Sequence, residues 1–306
     1  MDILGNAIEN WVMTTKRVSV KAATYDRLIT SLSLMKRYSI YRKRIEELEV
    51  CDIQRYINEL ADAGYSLSTI KKQFHLIGAY ISYANLIGDI QRPLHKGVKL
   101  PSETTVKKHK REIVAYTREE QKRLKSVLMR GDNPAYNVVL FMLETGMRIG
   151  EVLAVGWDDI NWKRKSVRIG KTIVRIAETK RTIVQPSAKS YTSNRTIPLS
   201  TDAYELLSFL KSIDETGSDF IFHDENGNHI EYESVRWWIS KACEEAGIPY
   251  YGMHVFRHTF ATNCYENGCD VKILSKLLGH SDVTITYNIY IHLFGDALEE
   301  MRAVLG

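Results

Sequence analysis

The sequence is poor in the features that define several protein classes. It holds four cysteines, Cys51, Cys243, Cys264 and Cys269, in 306 residues. They are too few for a disulfide framework, and none forms a C-x-x-C pair, so reduced thiols are expected. No apolar run approaches the roughly 20 residues that cross a bilayer, so no membrane association is expected. The start, MDILGNAIENW, lacks a basic stretch followed by an apolar core, and no secretory signal is expected from it. There is no internal repeat and no low-complexity segment. What remains, 44% hydrophobic and 26% charged residues, is the balance of an ordinary globular, cytoplasmic protein. Its length suits two cores better than one.

The net charge is only +5, but it is unevenly placed. From Gln91 to Arg130 twelve Lys or Arg face four Glu, which leaves the rest of the chain slightly acidic. A concentrated basic segment is the footprint expected for contact with phosphates, although a solvated linker would look the same. The candidates for backbone contact are Lys96, Lys99, Lys107, Lys108, Lys110 and Arg111.

Apolar spacing predicts a mainly α fold with a small antiparallel β-sheet. Tyr25, Leu28, Ile29 and Leu32 share one helical face; Ile53, Ile57 and Leu60 make a second stripe; Ile70, Phe74, Ile77 and Ile81 make a third. Gly64 and Gly88 stand where the last two helices should stop. Residues 1–91 thus read as a small helical domain. Over 92–116 the periodicity fails at Pro93, Gly97 and Pro101, giving a basic linker. Thr117-Arg118-Glu119-Glu120 is a capping box that opens a second domain, 117–306. Helical pattern covers 137–145 and 148–155, and short β-branched runs follow at 166–172, 182–185 and 195–199. Helices return at 203–210, 234–246, 255–265, 271–278 and 284–292.

Four clusters in the second domain stand out, and none is decisive alone: each could be packing, an ion pair or an exposed turn. In Thr145-Gly146-Met147-Arg148-Ile149-Gly150-Glu151, Arg148 is placed in a first helical turn, where its fork could take a phosphate, or simply pair with Glu151. In His254-Val255-Phe256-Arg257-His258, His254 and Arg257 share a face, with Phe256 and Phe260 on the core side. His254 and His258 have metal-ligand spacing, but the H-E-x-x-H glutamate is missing and Arg257 would repel a cation. Leu278-Gly279-His280-Ser281-Asp282 leads into a segment with Tyr287 and Tyr290. Finally, 186–199 reads as a hairpin with Lys189 at its tip.

Together, in this order, the clusters closely resemble the tyrosine recombinase (phage integrase) family, whose pattern of Arg, hairpin Lys, His-x-x-Arg, Gly-His and Tyr is met by Arg148, Lys189, His254, Arg257, His280 and Tyr290. T-G-x-R-x-x-E, K-x(5)-R-x-I-P-L, R-H-T-F-A-T and L-G-H-S fit as well. The ten-residue step from His280 to Tyr290 is closest to integrases of conjugative transposons. Val255 stands where many relatives have Asp, and Ser190 where many have Thr. The resemblance implies a helical core DNA-binding domain and a mixed α/β catalytic domain; the family's frequent arm-binding domain is not evident. It implies an enzyme that cleaves and rejoins DNA through a 3′-phosphotyrosyl bond, without cofactor or metal, and integrates or excises a mobile element. Tyr290 is the expected nucleophile, favoured over Tyr287 by the T-x-x-x-Y-x-H pattern of Thr286, Tyr290 and His292. Arg148 and Arg257 would clamp the phosphate, His254 and His280 would assist, and Lys189 would protonate the leaving oxygen. The partners implied are duplex DNA, a homo-tetramer on paired sites exchanging residues 294–306, and accessory DNA-bending or excision proteins, in a prokaryotic, DNA-associated setting. A type IB topoisomerase-like enzyme and a catalytically silent architectural DNA-binding protein are the alternatives.

Overall fold

The computed structural model describes residues 2–102, 105–106, 114–175, 182–186, 194–280, 282–284 and 286–287. They form two compact units, one around Met1–Arg111 and the other around Glu112–Val174 and Thr182–Gly306.

The first unit is helical: α1 (Leu4–Trp11), α2 (Arg17–Ser19), α3 (Ala22–Met35), α4 (Val50–Asp62) and α5 (Leu67–Ile87). The three predicted stripes face one core, with Tyr25, Leu32, Ile53, Ile57, Leu60, Ile70, Ile77 and Ile81 buried in it and Leu28, Ile29 and Phe74 partly buried against it. Local signals set the ends. Glu49 and Asp52 form a capping box on α4, Ser66 caps α5, and α5 stops on Gly88 at φ 89°. Tyr56 Oη donates to Gln73 Oε1 at 2.9 Å, tying α4 to α5 inside the core.

Helix α1 is an addition to the sequence expectation. Leu4, Ile8 and Trp11 recur at helical spacing and are buried, so this stretch carries a helical signal of its own. Part of the segment that reads as linker is also packed. Val98, Leu100 and Val106 join the first core, and the Gln54 side chain exchanges two hydrogen bonds with the Lys99 backbone, 2.8 and 3.0 Å.

The second unit opens with α6 (Arg118–Arg130), whose Thr117–Glu120 capping box forms as the sequence indicates. Helix α7 (Pro134–Thr145) is apolar nearly all round, which suits a central element; Val138, Val139, Phe141 and Met142 are buried, and it packs against α6, α9 (Thr201–Ile213), α10 (Tyr232–Glu245) and α11 (His254–Glu266). The helix expected over 148–155 is shorter: α8 spans Ile149–Val152, and Arg148 precedes it with extended backbone, ψ 145°. Gly156 and the one-turn helix at Trp157–Asp159 then lead the chain into the sheet.

Strands β1 (Ile160–Asn161), β2 (Ser166–Ile169) and β5 (Arg195–Pro198) form an antiparallel sheet in the order β1-β2-β5, with Val167 opposite Ile197. The single strand expected over 166–172 is broken at Gly170, after which β3 (Lys171–Arg175) pairs with β4 (Thr182–Pro186) as a separate ribbon. Helix α12 (Val271–Leu278) follows α11. Of the helix expected over 284–292, Thr284, Thr286 and Tyr287 are described and helical; the rest, and residues 294–306, lie outside the described residues.

Candidate active site

Two helix ends and one helix build the site. Helix α7 ends on Gly146 at φ 63°, a left-handed backbone that favours glycine. A Cβ there would stand 2.3 Å from the Phe260 ring and 3.0 Å from Leu278, so space demands glycine too. The turn leads Arg148 to the start of α8, where its backbone N–H donates to Glu151 Oε2 (3.0 Å) and its Nη1 to Oε1 (2.9 Å).

Helix α11 supplies His254 and Arg257. Arg257 is 4% exposed, and its fork donates to two carbonyls, Nη1 to Gly146 (2.9 Å) and Nη2 to Leu278 (2.6 Å). Burial first, then the Arg148 charge, brings its pKa down to about 9, so it stays protonated at neutral pH. A buried guanidinium bonded to carbonyls keeps its charge available to an anion.

Helix α12 ends on Gly279 at φ 66°, and His280 follows. His280 Nδ1 lies 2.7 Å from the hydroxyl of Thr286, which is fully buried; whichever atom donates, Nε2 is left for the site. Burial and then the Arg257, Arg148 and Arg195 charges push the His280 pKa to about 3. His254 opens to solvent on one side, yet crowding of its ring and the charges of Arg257 and Arg148 lower its pKa as well. His258 is pushed to about 4, mainly by burial, and its buried Nδ1 has no partner among the described residues. Neutral imidazoles therefore surround cationic arginines.

Glu151 is the counter-charge. It is 3% exposed; burial alone would raise its pKa, but Arg195 and Arg148 hold it at about 2. Of the residues singled out in the sequence, Arg148, His254, Arg257 and His280 are thus brought together. Lys189 and Tyr290 lie outside the described residues, as do Lys107, Lys108, Lys110 and Arg111. Lys96 and Lys99 lie exposed on the first unit. Among the described residues no group of three or more His, Cys, Asp or Glu is placed to hold a metal ion. Arg195, which in the sequence is only part of the R-x-I-P-L pattern, and the buried contact of Thr286 with His280 join the site through tertiary contacts that carry no local signal.

This charge state has a consequence for stability. His258 and His280 have folded-state values below the usual 6.5, so the unfolded chain binds more protons below that pH. Stability should be full above about pH 6.5 and fall as the pH drops toward 4 and 3, by up to about 1.4 kcal/mol per pH unit for each histidine. Thermal unfolding across pH 7.5 to 4 checks this: the slope should be shallower in a His258→Gln variant, and an unchanged slope would contradict it.

Two buried or half-buried arginines, held by main-chain carbonyls and a carboxylate and flanked by histidines of lowered pKa, make a cationic site whose chemistry suits an anion. Residues 105–296 match the model of the phage integrase family, and the chain belongs to that family, the tyrosine recombinases. It is 28% identical over 312 residues to a XerC-like tyrosine recombinase of Caldanaerobacter subterraneus subsp. tengcongensis, covering 95% of this chain and 79% of that protein. It is 23% identical over 295 residues to the transposase of transposon Tn916 from Enterococcus faecalis, covering 89% and 70% respectively. In fold it is similar to the Tn1549 transposon integrase solved with a circular intermediate DNA, with a TM-score of 0.81, 17% identity, and coverage of 100% of this chain and 99% of that one. It is also similar to lambda integrase solved as a tetramer on a Holliday junction, with a TM-score of 0.67, 17% identity, and coverage of 94% and 77%.

Proposed function

We propose that this chain is a site-specific recombinase that integrates and excises a mobile element by cutting and rejoining duplex DNA. The observation that carries the reading is the holding of Arg148 and Arg257 by the carbonyls of Gly146, Leu278 and Gly279, with His254 and His280 near enough for both arginine charges to lower their pKa values. Similarity to the Tn916 transposase and the fold shared with the Tn1549 integrase support a transposon as the element.

In the proposed step the phenolic oxygen of Tyr290 attacks phosphorus, and its proton passes to a neutral imidazole of the site or to water. The bond from phosphorus to the 5′ oxygen breaks, and that oxygen takes a proton from Lys189 and leaves as a hydroxyl. One phosphoester replaces another, so no energy source is consumed. Phosphoryl transfer depends mainly on position and on charge stabilisation, which Arg148 and Arg257 supply. Residues 1–91 and 117–306 would act as core-binding and catalytic domains on a tetramer holding two DNA sites; the lambda integrase structure, a tetramer bound to a Holliday junction, supports such an assembly.

The test is a pool of nicked duplexes with randomised cores. A covalent protein–DNA adduct that survives denaturant, and from which one DNA sequence is recovered, is expected. Joints between two recovered sites mark a recombinase; relaxed supercoils without joints would favour a topoisomerase-like cycle, and no adduct would leave only an architectural role. On the recovered duplex, affinity should fall linearly with salt on logarithmic axes. Lys96→Gln and Lys99→Gln should each lower that slope by about 1 if they contact phosphates; unchanged slopes would remove them from the interface.

A further inference from the structure

Three successive carbonyls at the end of α12 each accept from a different arginine: Leu277 from Arg195 Nε (2.6 Å), Leu278 from Arg257 Nη2 (2.6 Å) and Gly279 from Arg148 Nη2 (3.4 Å). The last carbonyls of a helix lack intrahelical donors and carry partial negative charge, so cations settle there. Arg195 is the member of this set whose fork is spent on a carboxylate. Its side chain is 6% exposed, and beyond Leu277 it grips Glu151 with both ends, Nη1 to Oε1 (3.1 Å) and Nη2 to Oε2 (2.8 Å). The same two oxygens hold Arg148 from the other side, one at its Nη1 and one at its backbone N–H. Gly279 leaves room for this, because a Cβ there would meet Arg195 Nη1 at 2.9 Å.

We propose that Arg195 is a positioning residue of the strand-transfer site: it locks Glu151 against the end of α12, and the locked carboxylate aims Arg148 at the scissile phosphate. The inference rests on the proposed recombinase reading. The Arg148 side chain is 39% exposed and long; without a fixed carboxylate it would sample several directions, and its charge would reach the phosphate only part of the time. Arg195 uses all three of its guanidinium nitrogens in this contact set, so Lys, with one nitrogen on a flexible stem, cannot replace it.

The experiment compares covalent adduct formation by the wild type, Arg195→Lys and Arg148→Ala on two versions of the recovered duplex. One carries the ordinary scissile phosphate and the other a methylphosphonate, which removes one negative charge and with it much of the need for an arginine. Arg195→Lys should be about 100-fold slower than the wild type on the phosphate, the size of effect that a small misplacement produces. On the methylphosphonate most of that loss should disappear, as it should for Arg148→Ala. Equal losses on the two substrates, or no loss on either, would overturn the positioning role. If Arg195→Lys does not fold, the double variant Arg195→Met, Glu151→Met replaces the buried pair with apolar volume, which folds tolerate better than a lone buried charge, and is read in the same way. A wild type that forms no adduct on either duplex would overturn the recombinase reading itself.

Discussion

Tyr290→Phe is expected to abolish the covalent protein–DNA adduct, while Tyr287→Phe leaves it within a few-fold of the wild type. In the proposed reaction the removed hydroxyl is the attacking atom, and no neighbouring group would restore a lost nucleophile. Thr286 is the structural reference for position 290. That residue is fully buried and its hydroxyl meets His280 Nδ1 at 2.7 Å, which fixes the side of the segment that faces the site. Residues four apart share a helical face, so the helical pattern expected from the sequence over 284–292 predicts position 290 on that side, Tyr290 itself lying outside the described residues. Tyr287, in contrast, is 52% exposed. Denaturing gels of the nicked-duplex reaction read the result directly. An adduct that persists in Tyr290→Phe and vanishes in Tyr287→Phe would reverse the assignment.

Much of the fold was legible because its signals are local. The Thr117–Glu120 capping box, the glycine at the end of α5 and the apolar stripes of α3, α4 and α5 depend on neighbours within a turn or two, and the structure follows them. The four clusters were legible as a resemblance because their order and spacing are distinctive. What the sequence could not show is how the clusters hold one another. Arg195 sits 44 residues from Glu151 and 82 from Leu277, and these contacts depend on β5 lying beside α12. Glycine at 146 and 279 reads as a helix stop in both places, yet each also clears space for a distant side chain, Phe260 in one case and Arg195 in the other. The short α8 was overestimated for a similar reason. Leu153, Ala154 and Val155 carry helical pattern, but they are fully or almost fully buried and the chain must turn there to enter β1. Tertiary packing overrode propensity.

Arg257→Lys is expected to slow adduct formation by about 1,000-fold, at the upper end of what removing one preorganised donor costs a transition state. Arg257 cannot be treated as a surface cation. Its two carbonyl partners come from the ends of α7 and α12, so the guanidinium both ties these elements together and carries the charge. Lys could reach one carbonyl at most, and the other would remain buried and unpaired at a cost of about 1–3 kcal/mol. The variant should therefore show two separable defects: a lower melting temperature and a slower chemical step, with DNA affinity little changed because affinity is spread over many phosphates. Arg148→Lys provides the comparison. Arg148 is more than a third exposed, so its loss should slow the chemistry with a smaller effect on melting. Measuring melting temperature, equilibrium binding and single-turnover adduct formation for both variants separates these effects. If Arg257→Lys lowers binding as much as cleavage, or stays within about 10-fold of the wild-type rate, the buried arginine holds the fold together and contributes little to the transition state.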